Sequence, residues 1–320
     1  MSNTALGVDI GGTNIKFGLV SRSGEIIASE IESTPRSTPE LSIAIICDLL
    51  TDFLENQDYS FDNLNAIGIG FPGSIEHPGG IVRSAPNLPG WGGVELGKLF
   101  RENLGREVRI DNDANLAALA EYKWGNGQGE DPLILFTLGT GVGGGIIVGG
   151  KILRGVWGGA AEIGHHTIET NGRICGCNNR GCLEVYVGTK GVATRAWELL
   201  ERDKGSLLWE MMGGEFDSLD AEMVGMAAKD GDRTALIVAD EVVKYLGVGV
   251  ANIINIFNPA CVLFAGGMTE WGDKMLLDPV KKETRKRALK THYKACRIDF
   301  AKGGLWSGVL GAAALAFQPE

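Results

Sequence analysis

The chain has 320 residues, with 30 Lys or Arg and 40 Asp or Glu, so its formal net charge is −10. This length allows two ordinary domains or one large domain with a substantial core. An acidic chain without an extended basic block argues against nucleic-acid binding, and the longest apolar stretches are interrupted by Gly, Asn or Pro, which argues against a membrane span. No signal peptide is recognisable at the start, so the expected location is the cytoplasm.

Hydrophobic periodicity predicts a β-meander at the start, followed by helices alternating with strands. The strands are predicted over 5–9, 15–20, 25–31, 65–71, 108–110, 133–138, 142–148 and 261–265. The helices are predicted over 39–54, 94–104, 113–124, 235–257 and 308–317, the first with Thr38 as N-cap. The Pro- and Gly-rich segment from Pro72 to Gly93 is predicted to be a loop.

A Gly-rich turn with the sequence D-I-G-G-T-N-I-K, residues 9–16, connects the first two predicted strands. Gly11 and Gly12 let backbone N–H groups approach a phosphate, and Thr13 adds a hydroxyl. Asp9 is a candidate to hold Mg²⁺ through water, and Lys16 to screen phosphate charge. An ordinary hairpin turn is the alternative for this segment taken alone.

A second strand–turn–strand unit has the sequence T-L-G-T-G-V-G-G-G at residues 137–145. It lacks the Gly-Lys-Ser/Thr ending of a P-loop and is not followed by a helix, so it fits neither a P-loop nor a dinucleotide fingerprint. Its likeness to the first turn predicts a duplicated architecture, with chance similarity as the alternative. A Gly pair after the strand at 261–265 is a further candidate, for adenine or ribose. The nucleotide-binding candidates in these two segments are Thr137, Gly139, Thr140, Gly141, Gly266 and Gly267.

The segment Asn112-Asp113-Ala114-Asn115 lies between a predicted strand and a predicted helix. A carboxylate at a helix N-terminus is favoured in its ionised form. If a sugar hydroxyl lies near it, an ionised Asp113 can accept its proton during phosphoryl transfer. A simple N-cap aspartate is the alternative.

A cluster of cysteines follows a histidine pair in the second half of the chain. Cys175, Cys177 and Cys182, with a histidine ten residues earlier, have the composition of a closed structural zinc site. A disulfide is the weaker alternative in a cytosolic protein. His165 and His166 compete for the fourth ligand position.

These segments together resemble the ROK family of bacterial sugar kinases and repressors over essentially the whole chain. The resemblance is carried by six strings that occur in the family order, namely 9–16, 112–115, 137–145, 162–165, 175–184 and 263–268. It departs from the family pattern at Asn178 in the cysteine string and at Ala161, both at positions where Gly is common. Neither change removes a predicted ligand or catalytic group.

The resemblance implies an α/β protein with an actin-like (ribonuclease H-like) duplicated two-lobe ATPase fold, binding ATP and sugar between the lobes. The small lobe is expected over 1–111, with 305–320 returning to it, and the large lobe with the zinc site over 112–304. It also implies an ATP- and Mg²⁺-dependent hexose kinase with glucose as the favoured substrate, Asp113 as general base, and a homodimer or higher oligomer. His165 ligates Zn²⁺ in this family. The implied sugar-side residues are Gly73, Asn87, Asn112, Asp113, Glu162, His165 and Glu184.

Three alternatives remain for the function. An N-acetylmannosamine, mannose or fructose kinase would use much the same motifs, and the segment 86–88 followed by Trp91 favours glucose. A repressor would carry a helix-turn-helix before the first turn, where only eight residues precede Asp9. A non-catalytic sugar-binding or scaffold protein would not need two phosphate turns together with Asp113.

Overall fold

The computed structural model describes residues 3–85 and 88–318. The strands are β1 (Thr4–Ile10), β2 (Asn14–Ser21), β3 (Ile26–Ser33), β4 (Ile67–Phe71), β5 (Ser74–Glu76), β6 (Ile81–Ser84), β7 (Arg109–Asn112), β8 (Leu133–Leu138), β9 (Val142–Val148), β10 (Lys151–Ile152), β11 (Cys261–Ala265) and β12 (Arg297–Phe300). The helices are α1 (Pro39–Asn56), α2 (Leu96–Leu104), α3 (Asp113–Trp124), α4 (Glu184–Val187), α5 (Thr189–Leu200), α6 (Leu207–Met211), α7 (Ala221–Lys229), α8 (Arg233–Phe257), α9 (Asp278–Arg287), α10 (Lys290–Ala295) and α11 (Ser307–Ala316).

The predicted elements are all present, and most of their bounds differ from the observed ones by one or two residues. Thr38 caps α1 as predicted, since its side chain accepts the Leu41 N–H at 3.4 Å. The loop predicted between Phe71 and Gly93 is wrong in part, because it contains the β5–β6 hairpin. These strands have only three and four residues, too few for an alternating pattern to stand out in the sequence.

The chain forms two compact units. Unit 1 comprises Met1–Gly129, Gly145–Ala161 and Lys302–Glu320, and unit 2 comprises Glu130–Gly144 and Glu162–Ala301. The predicted lobes, 1–111 with 305–320 and 112–304, have different bounds from these units. The main difference is α3, which belongs to unit 1 because it packs against α11.

The first sheet lies in unit 1 and has the strand order β3-β2-β1-β4-β7. Strands β1, β2 and β3 are antiparallel, whereas β4 and β7 continue the sheet in parallel to β1. Side chains alternate across β1: Leu6, Val8 and Ile10 join the core that α1 covers, while Ala5 packs with α11. Asp9 therefore shares the α11 side of the sheet with Ala5.

Helix α11 lies directly on this sheet because glycines face it. A Cβ at Gly68 would stand 1.8 Å from the Ala312 carbonyl oxygen, and one at Gly7 would stand 2.1 Å from the Val309 carbonyl oxygen. These positions have room only for hydrogen. The close approach brings the first turn of α11 to the end of β1, where Asp9 lies.

The second sheet has the order β10-β9-β8-β11-β12. In both sheets the first strand in sequence is central, the next two strands lie on one side of it, and the two later strands lie on the other side. Strands β8, β11 and β12 are parallel and lie in unit 2, with Thr137 opposite Ala265. The chain passes from one unit to the other within β9. This repeated strand order is the duplication that the two Gly-rich turns predicted.

Helix α8 is the central helix of unit 2, with 25 residues and a largely buried face. Asp232 caps its start by accepting the Ala235 N–H at 2.8 Å, and Asn258 ends it in a left-handed conformation with φ 45°. Across the described ranges, no helix combines the length and apolar composition that crossing a bilayer requires.

Candidate active site

The carboxyl ends of the parallel strands in unit 1 bring the first group of candidate residues to one edge of the sheet. Asp9 of β1 pairs with Gly70 of β4, and Gly70 pairs with Asp111 of β7. The residues that follow these strands, including Gly73 and Asp113, therefore lie at the same edge. This is the edge at which open α/β sheets bind ligands.

Asp9 is a recessed carboxylate with one cation beside it. Its Oδ2 lies 3.8 Å from Lys16 Nζ, and it packs against the backbone of Gly308 at the start of α11. Desolvation raises the pKa of Asp9, and the charge of Lys16 opposes that shift. An anionic side chain beside Lys16 and a helix N-terminus is suited to hold a hydrated divalent cation next to a phosphate.

The turn after Asp9 is held in shape by Thr34. Its Oγ1 donates to the Gly11 carbonyl oxygen at 2.7 Å, and its N–H donates to the Thr13 carbonyl oxygen at 2.9 Å. Gly12 and Thr13 are exposed residues on this fixed turn. This is the arrangement expected of a phosphate-binding turn.

Asn112 and Asp113 form the start of α3. Asn112 Oδ1 accepts the N–H groups of Ala114 and Asn115 at 2.9 and 3.2 Å, so Asn112 is the N-cap. This leaves Asp113 at the first helical position with an exposed side chain. The simple N-cap interpretation of Asp113 is therefore wrong, because the neighbouring Asn112 occupies that position.

The environment of Asp113 tunes its basicity. Although its surface is exposed, protein atoms surround the carboxylate at longer range, and this desolvation raises the pKa of Asp113 to about 6. The Ala114 N–H, which donates to Asp113 Oδ1 at 2.8 Å, lowers the pKa, while the charge of Asp9 raises it. A carboxylate with this pKa is ionised at neutral pH and is a better base than an ordinary aspartate.

The loop after β4 is joined to the base-bearing helix by Asn112. Its Nδ2 donates to the Gly73 carbonyl oxygen at 2.9 Å. Gly73 has φ 102°, and a Cβ there would stand 2.1 Å from the Ser84 carbonyl oxygen, so the position requires glycine. Asn112 thus positions Asp113 and Gly73 together. The predicted neighbour Asn87 lies outside the described residues.

An ion pair between buried Asp111 and half-buried Arg154 at this edge was not predicted from the sequence. Asp111 Oδ2 accepts from Arg154 Nε at 2.8 Å, and Asp111 Oδ1 accepts from the Asn112 N–H and from Asn115 Nδ2. The pair fixes the residue directly before the cap of α3. A charged residue in β7 would have been the only signal in the sequence, and its partner is 43 residues away.

In unit 2, Glu184 connects the second Gly-rich turn with the cysteine cluster. Its Oε2 accepts the Val142 N–H at 3.0 Å, and its Oε1 lies 4.0 Å from His165 Nδ1. A Cβ at Gly141 would stand 2.2 Å from Oε2, so glycine is needed where the turn passes this carboxylate. Glu184, a predicted sugar contact, therefore also binds the backbone of the predicted phosphate turn.

The donor atoms of His165, Cys175, Cys177 and Cys182 all lie within 4.8 Å of one another. Cys177 Sγ is 3.7 Å from Cys182 Sγ, and Cys175 Sγ is 3.6 Å from His165 Nδ1. Tetrahedral zinc with Zn–S bonds of about 2.3 Å places two sulfurs about 3.8 Å apart, so the four side chains fit this ion. His166 is turned away, with Nδ1 against the Ile163 carbonyl oxygen.

The remaining predicted residues of unit 2 are placed as follows. Gly266, with φ 97°, packs against β8, since a Cβ there would stand 2.3 Å from the Leu138 carbonyl oxygen. Gly267 has open space beside it. Glu162 is exposed and precedes a short 3₁₀ turn, where its carbonyl oxygen accepts the His165 N–H at 3.1 Å. Thr137 and Thr140 flank the Gly139 turn at the carboxyl end of β8.

The model of the ROK family matches residues 5–319 of the sequence. The chain belongs to the ROK family. This ROK protein is 34% identical over 311 residues to a glucokinase of Thermotoga maritima, covering 97% of this chain and 96% of the relative. It is 38% identical over 317 residues to a glucokinase of Halalkalibacterium halodurans, covering 98% of this chain and 95% of the relative. A xylose repressor of Caldicellulosiruptor bescii is 30% identical, with 98% of this chain and 78% of the repressor covered.

Among solved structures, the ROK protein is similar to a ROK family glucokinase of Streptomyces griseus in complex with glucose and AMPPNP. The TM-score is 0.82 and the identity 33%, with 99% of this chain and 100% of that chain covered. A ROK hexokinase of Thermus thermophilus gives a TM-score of 0.85 at 28% identity, with 98% of each chain covered. These neighbours confirm the predicted α/β, actin-like fold and the resemblance to the ROK family.

Proposed function

We propose that the protein is an ATP-dependent hexose kinase that converts glucose to glucose 6-phosphate. The observation that carries this proposal is the pair of carboxylates Asp113 and Asp9 at one strand edge, the first with its pKa raised to about 6 and the second beside Lys16. A base and a cation-binding carboxylate within electrostatic reach of each other are what phosphoryl transfer to a hydroxyl requires. The glucokinase relatives support glucose as the substrate.

In this mechanism Asp113 accepts the proton of the sugar's 6-hydroxyl. The hydroxyl oxygen forms a bond to the γ-phosphorus of ATP while the bond from that phosphorus to the bridging oxygen breaks, and ADP leaves. Asn112 keeps Asp113 at the first position of α3 by occupying the cap itself. The backbone N–H groups of the Gly11–Gly12 turn are suited to bind phosphate oxygens. When bound, Mg²⁺ supplies neutralisation of phosphate charge, and Asp9 is the residue that would hold it through water.

In unit 2, Glu162, His165 and Glu184 are proposed sugar contacts, since buried hydroxyls need paired donors and acceptors. Zn²⁺ would be held by the four clustered side chains, with His165 using Nδ1. This leaves His165 Nε2 free to meet a hydroxyl. The zinc would then have a structural role, because four protein ligands leave no open position for chemistry.

A coupled assay of ATP consumption over a panel of sugars tests this proposal. We expect kcat/KM for glucose to exceed that for N-acetylmannosamine and fructose by at least about tenfold, the discrimination that a modest mismatch with the pocket supplies. A pocket closed around a hydroxyl should also reject the larger N-acetyl group. Mannose is the expected second substrate. A reversed ranking would contradict the glucose assignment while leaving a sugar kinase, and an absence of turnover with every sugar would contradict catalysis.

A further inference from the structure

Glu121 is a buried carboxylate in the last turn of α3, the helix that begins at Asp113. Only 1% of its surface is exposed. An acidic side chain is unfavourable near a helix C-terminus, where the partial charge is negative, and burial of a charge adds to that cost. Its surroundings must therefore compensate the charge.

Three backbone N–H groups provide that compensation. Glu121 Oε2 accepts the Asn126 N–H at 2.8 Å, just after the end of α3. Glu121 Oε1 accepts the N–H groups of Lys302 and Gly303 at 2.9 and 2.6 Å, from a segment 181 and 182 residues further along the chain. Hydrogen bonds to a charged acceptor are stronger than those between neutral groups. One side chain thus joins the end of α3 to the segment that enters α11.

The segment that Glu121 binds, Lys302 and Gly303, precedes α11, and the first turn of α11 contacts Asp9. Gly303 is confined between Glu121 and Ser307, because a Cβ at Gly303 would stand 3.1 Å from Glu121 Oε1 and 2.8 Å from Ser307 Cβ. Ser307 begins α11, and the next residue, Gly308, lies against the carboxylate of Asp9. The position of this first turn therefore decides where the Asp9 carboxylate can lie.

Helices α3 and α11 are also in direct backbone contact further along. A Cβ at Gly311 would stand 2.0 Å from the Leu116 carbonyl oxygen. Asp113 begins α3, and Asp9 of β1 lies against the first turn of α11, so the register of the two helices sets the separation of these carboxylates. Gly70 of β4 lies between Asp9 and α3, since a Cβ there would stand 3.5 Å from Asp9 Oδ1 and 3.1 Å from Leu116 Cδ1, and the charge of Asp9 raises the pKa of Asp113.

We infer that Glu121 is a positioning residue for phosphoryl transfer, which holds α3 and α11 in the register that sets the spacing of Asp113 and Asp9. This inference rests on the proposed roles of those two carboxylates. Glu121 itself is at the far end of α3 from Asp113 and acts through the backbone of the two helices.

The test is steady-state kinetics of Glu121→Gln, measured well below its melting temperature. Glutamine keeps one acceptor oxygen but presents an N–H₂ group either to the Asn126 N–H or to the N–H groups of Lys302 and Gly303, so the hydrogen bonds on one side of Glu121 are lost. We expect kcat to fall by about 10- to 100-fold, the effect of a small misplacement of reacting groups. The glucose Kd from calorimetry should stay within about twofold of the wild-type value, because no proposed sugar contact changes.

The pH profile of kcat supplies a measurement that a general loss of stability would not move. The charged group that acts on Asp113 is Asp9, which lies beside Lys16, and the nearby Asp111, just before the cap of α3, is paired with Arg154, whose charge and that of Asp111 also act on His77. Because the charge of Asp9 raises the pKa of Asp113, a greater separation should lower the pH at which activity is lost. Gly303→Ala places a methyl group against Glu121 and so disturbs the same hydrogen bonds from the α11 side. It should shift the pH profile of kcat in the same direction.

Leu50→Ala is the control for stability, since Leu50 is fully buried in α1 and its loss makes a cavity away from both carboxylates. It should melt at a lower temperature with unchanged kcat and pH profile.

A folded Glu121→Gln protein with wild-type kcat and pH profile would overturn the inference, as would a loss of kcat proportional to the unfolded fraction. If Asp113→Asn also kept wild-type kcat, the proposed function itself would fail; an inactive Asp113→Asn with a normal Glu121→Gln would contradict this inference alone.

Discussion

The Cα of Gly308 lies against the carboxylate of Asp9, so closely that a Cβ at position 308 would stand 2.3 Å from Asp9 Cγ. Gly308 is the second residue of α11, and the positive end of the helix dipole therefore faces Asp9. This favours the ionised carboxylate and opposes the desolvation that raises the pKa of Asp9. The contact exists because Ala5, Gly7 and Asp9 share one side of β1, where small residues let α11 lie on the sheet.

Gly308→Ala should therefore displace Asp9. We expect kcat to fall by at least about tenfold and the KM for MgATP to rise, because the new methyl group occupies the space of the carboxylate. Overpacking should also lower stability by about 1–3 kcal/mol. Gly92→Ala is the matched control, since nothing in unit 1 lies within 4 Å of a Cβ there. A Gly308→Ala protein whose steady-state kinetics equal those of the control would show that Asp9 is not part of the phosphate site.

Asp113 should produce the acidic limb of the activity profile. With its pKa raised to about 6, Asp113 is increasingly protonated below that pH and cannot accept the hydroxyl proton. We expect kcat to fall about tenfold per pH unit below about pH 6, as for titration of a single base. Asp113→Asn should lower kcat by about 10² to 10⁴ at neutral pH and leave glucose binding in place. An acidic limb near pH 4, the range of an ordinary aspartate, would contradict this environment.

The same shift predicts a gain in stability when the charge is removed. The folded pKa of about 6 is above the ordinary aspartate value of 3.8, so the folded state holds its proton more tightly, and ionisation as the pH rises from 4 to 6 favours unfolding. Asp113→Asn should therefore melt at a higher temperature than the wild type at pH 7, and this advantage should disappear near pH 4. Equal melting temperatures at both pH values would show that the carboxylate is freely solvated.

The sequence was sufficient to predict those elements and site residues whose structure is decided by a local residue pattern. The bounds of α3 and β8 match the predicted ones because long apolar runs end at clear polar or Gly signals. The three cysteines of the cluster follow from a short local spacing, the resemblance to the family selects His165 over His166, and the structure brings the four side chains together. These features needed no knowledge of contacts between distant segments.

The features that the sequence did not reveal depend on long-range pairing. Glu121 has the sequence context of a solvated residue near a helix end, and its partners are about 180 residues away. Arg154 follows a two-residue strand, and nothing around it indicates that Asp111 is its partner. Such positioning groups are fixed by the packing of α11 and by the loop after β10, and no residue periodicity predicts that packing.

The cysteine cluster should contain one tightly bound zinc per chain. Elemental analysis of the purified protein measures this directly. Cys177→Ser should lower the zinc content, the thermal stability and the glucose affinity together, because His165 is both a proposed ligand and a proposed sugar contact. Cys296→Ser, at a half-buried cysteine outside the cluster, is the control and should keep its zinc. Metal-free protein with unchanged stability and activity would contradict the zinc site.

The two departures from the family pattern should differ in cost, although both adopt a left-handed backbone. Ala161 has φ 67° and Asn178 has φ 69°. Alanine in this region costs about 1–2 kcal/mol, whereas asparagine tolerates it. Ala161→Gly should therefore stabilise the protein by about 0.5–1 kcal/mol after the greater entropy of an unfolded glycine is counted, and Asn178→Gly should change stability by less than about 0.5 kcal/mol.

Chemical denaturation of the two glycine variants measures this difference. Ala160→Gly is the matched control for Ala161→Gly, because Ala160 is outside the left-handed region and its replacement should destabilise by about 0.5–1 kcal/mol. The expected order of stability is thus Ala161→Gly above the wild type, Asn178→Gly close to it and Ala160→Gly below it. If Ala161→Gly were no more stable than Ala160→Gly, the left-handed backbone at Ala161 would not be a source of strain. The zinc content of Asn178→Gly should stay at one per chain, since the substitution keeps the backbone that places Cys177 and Cys182.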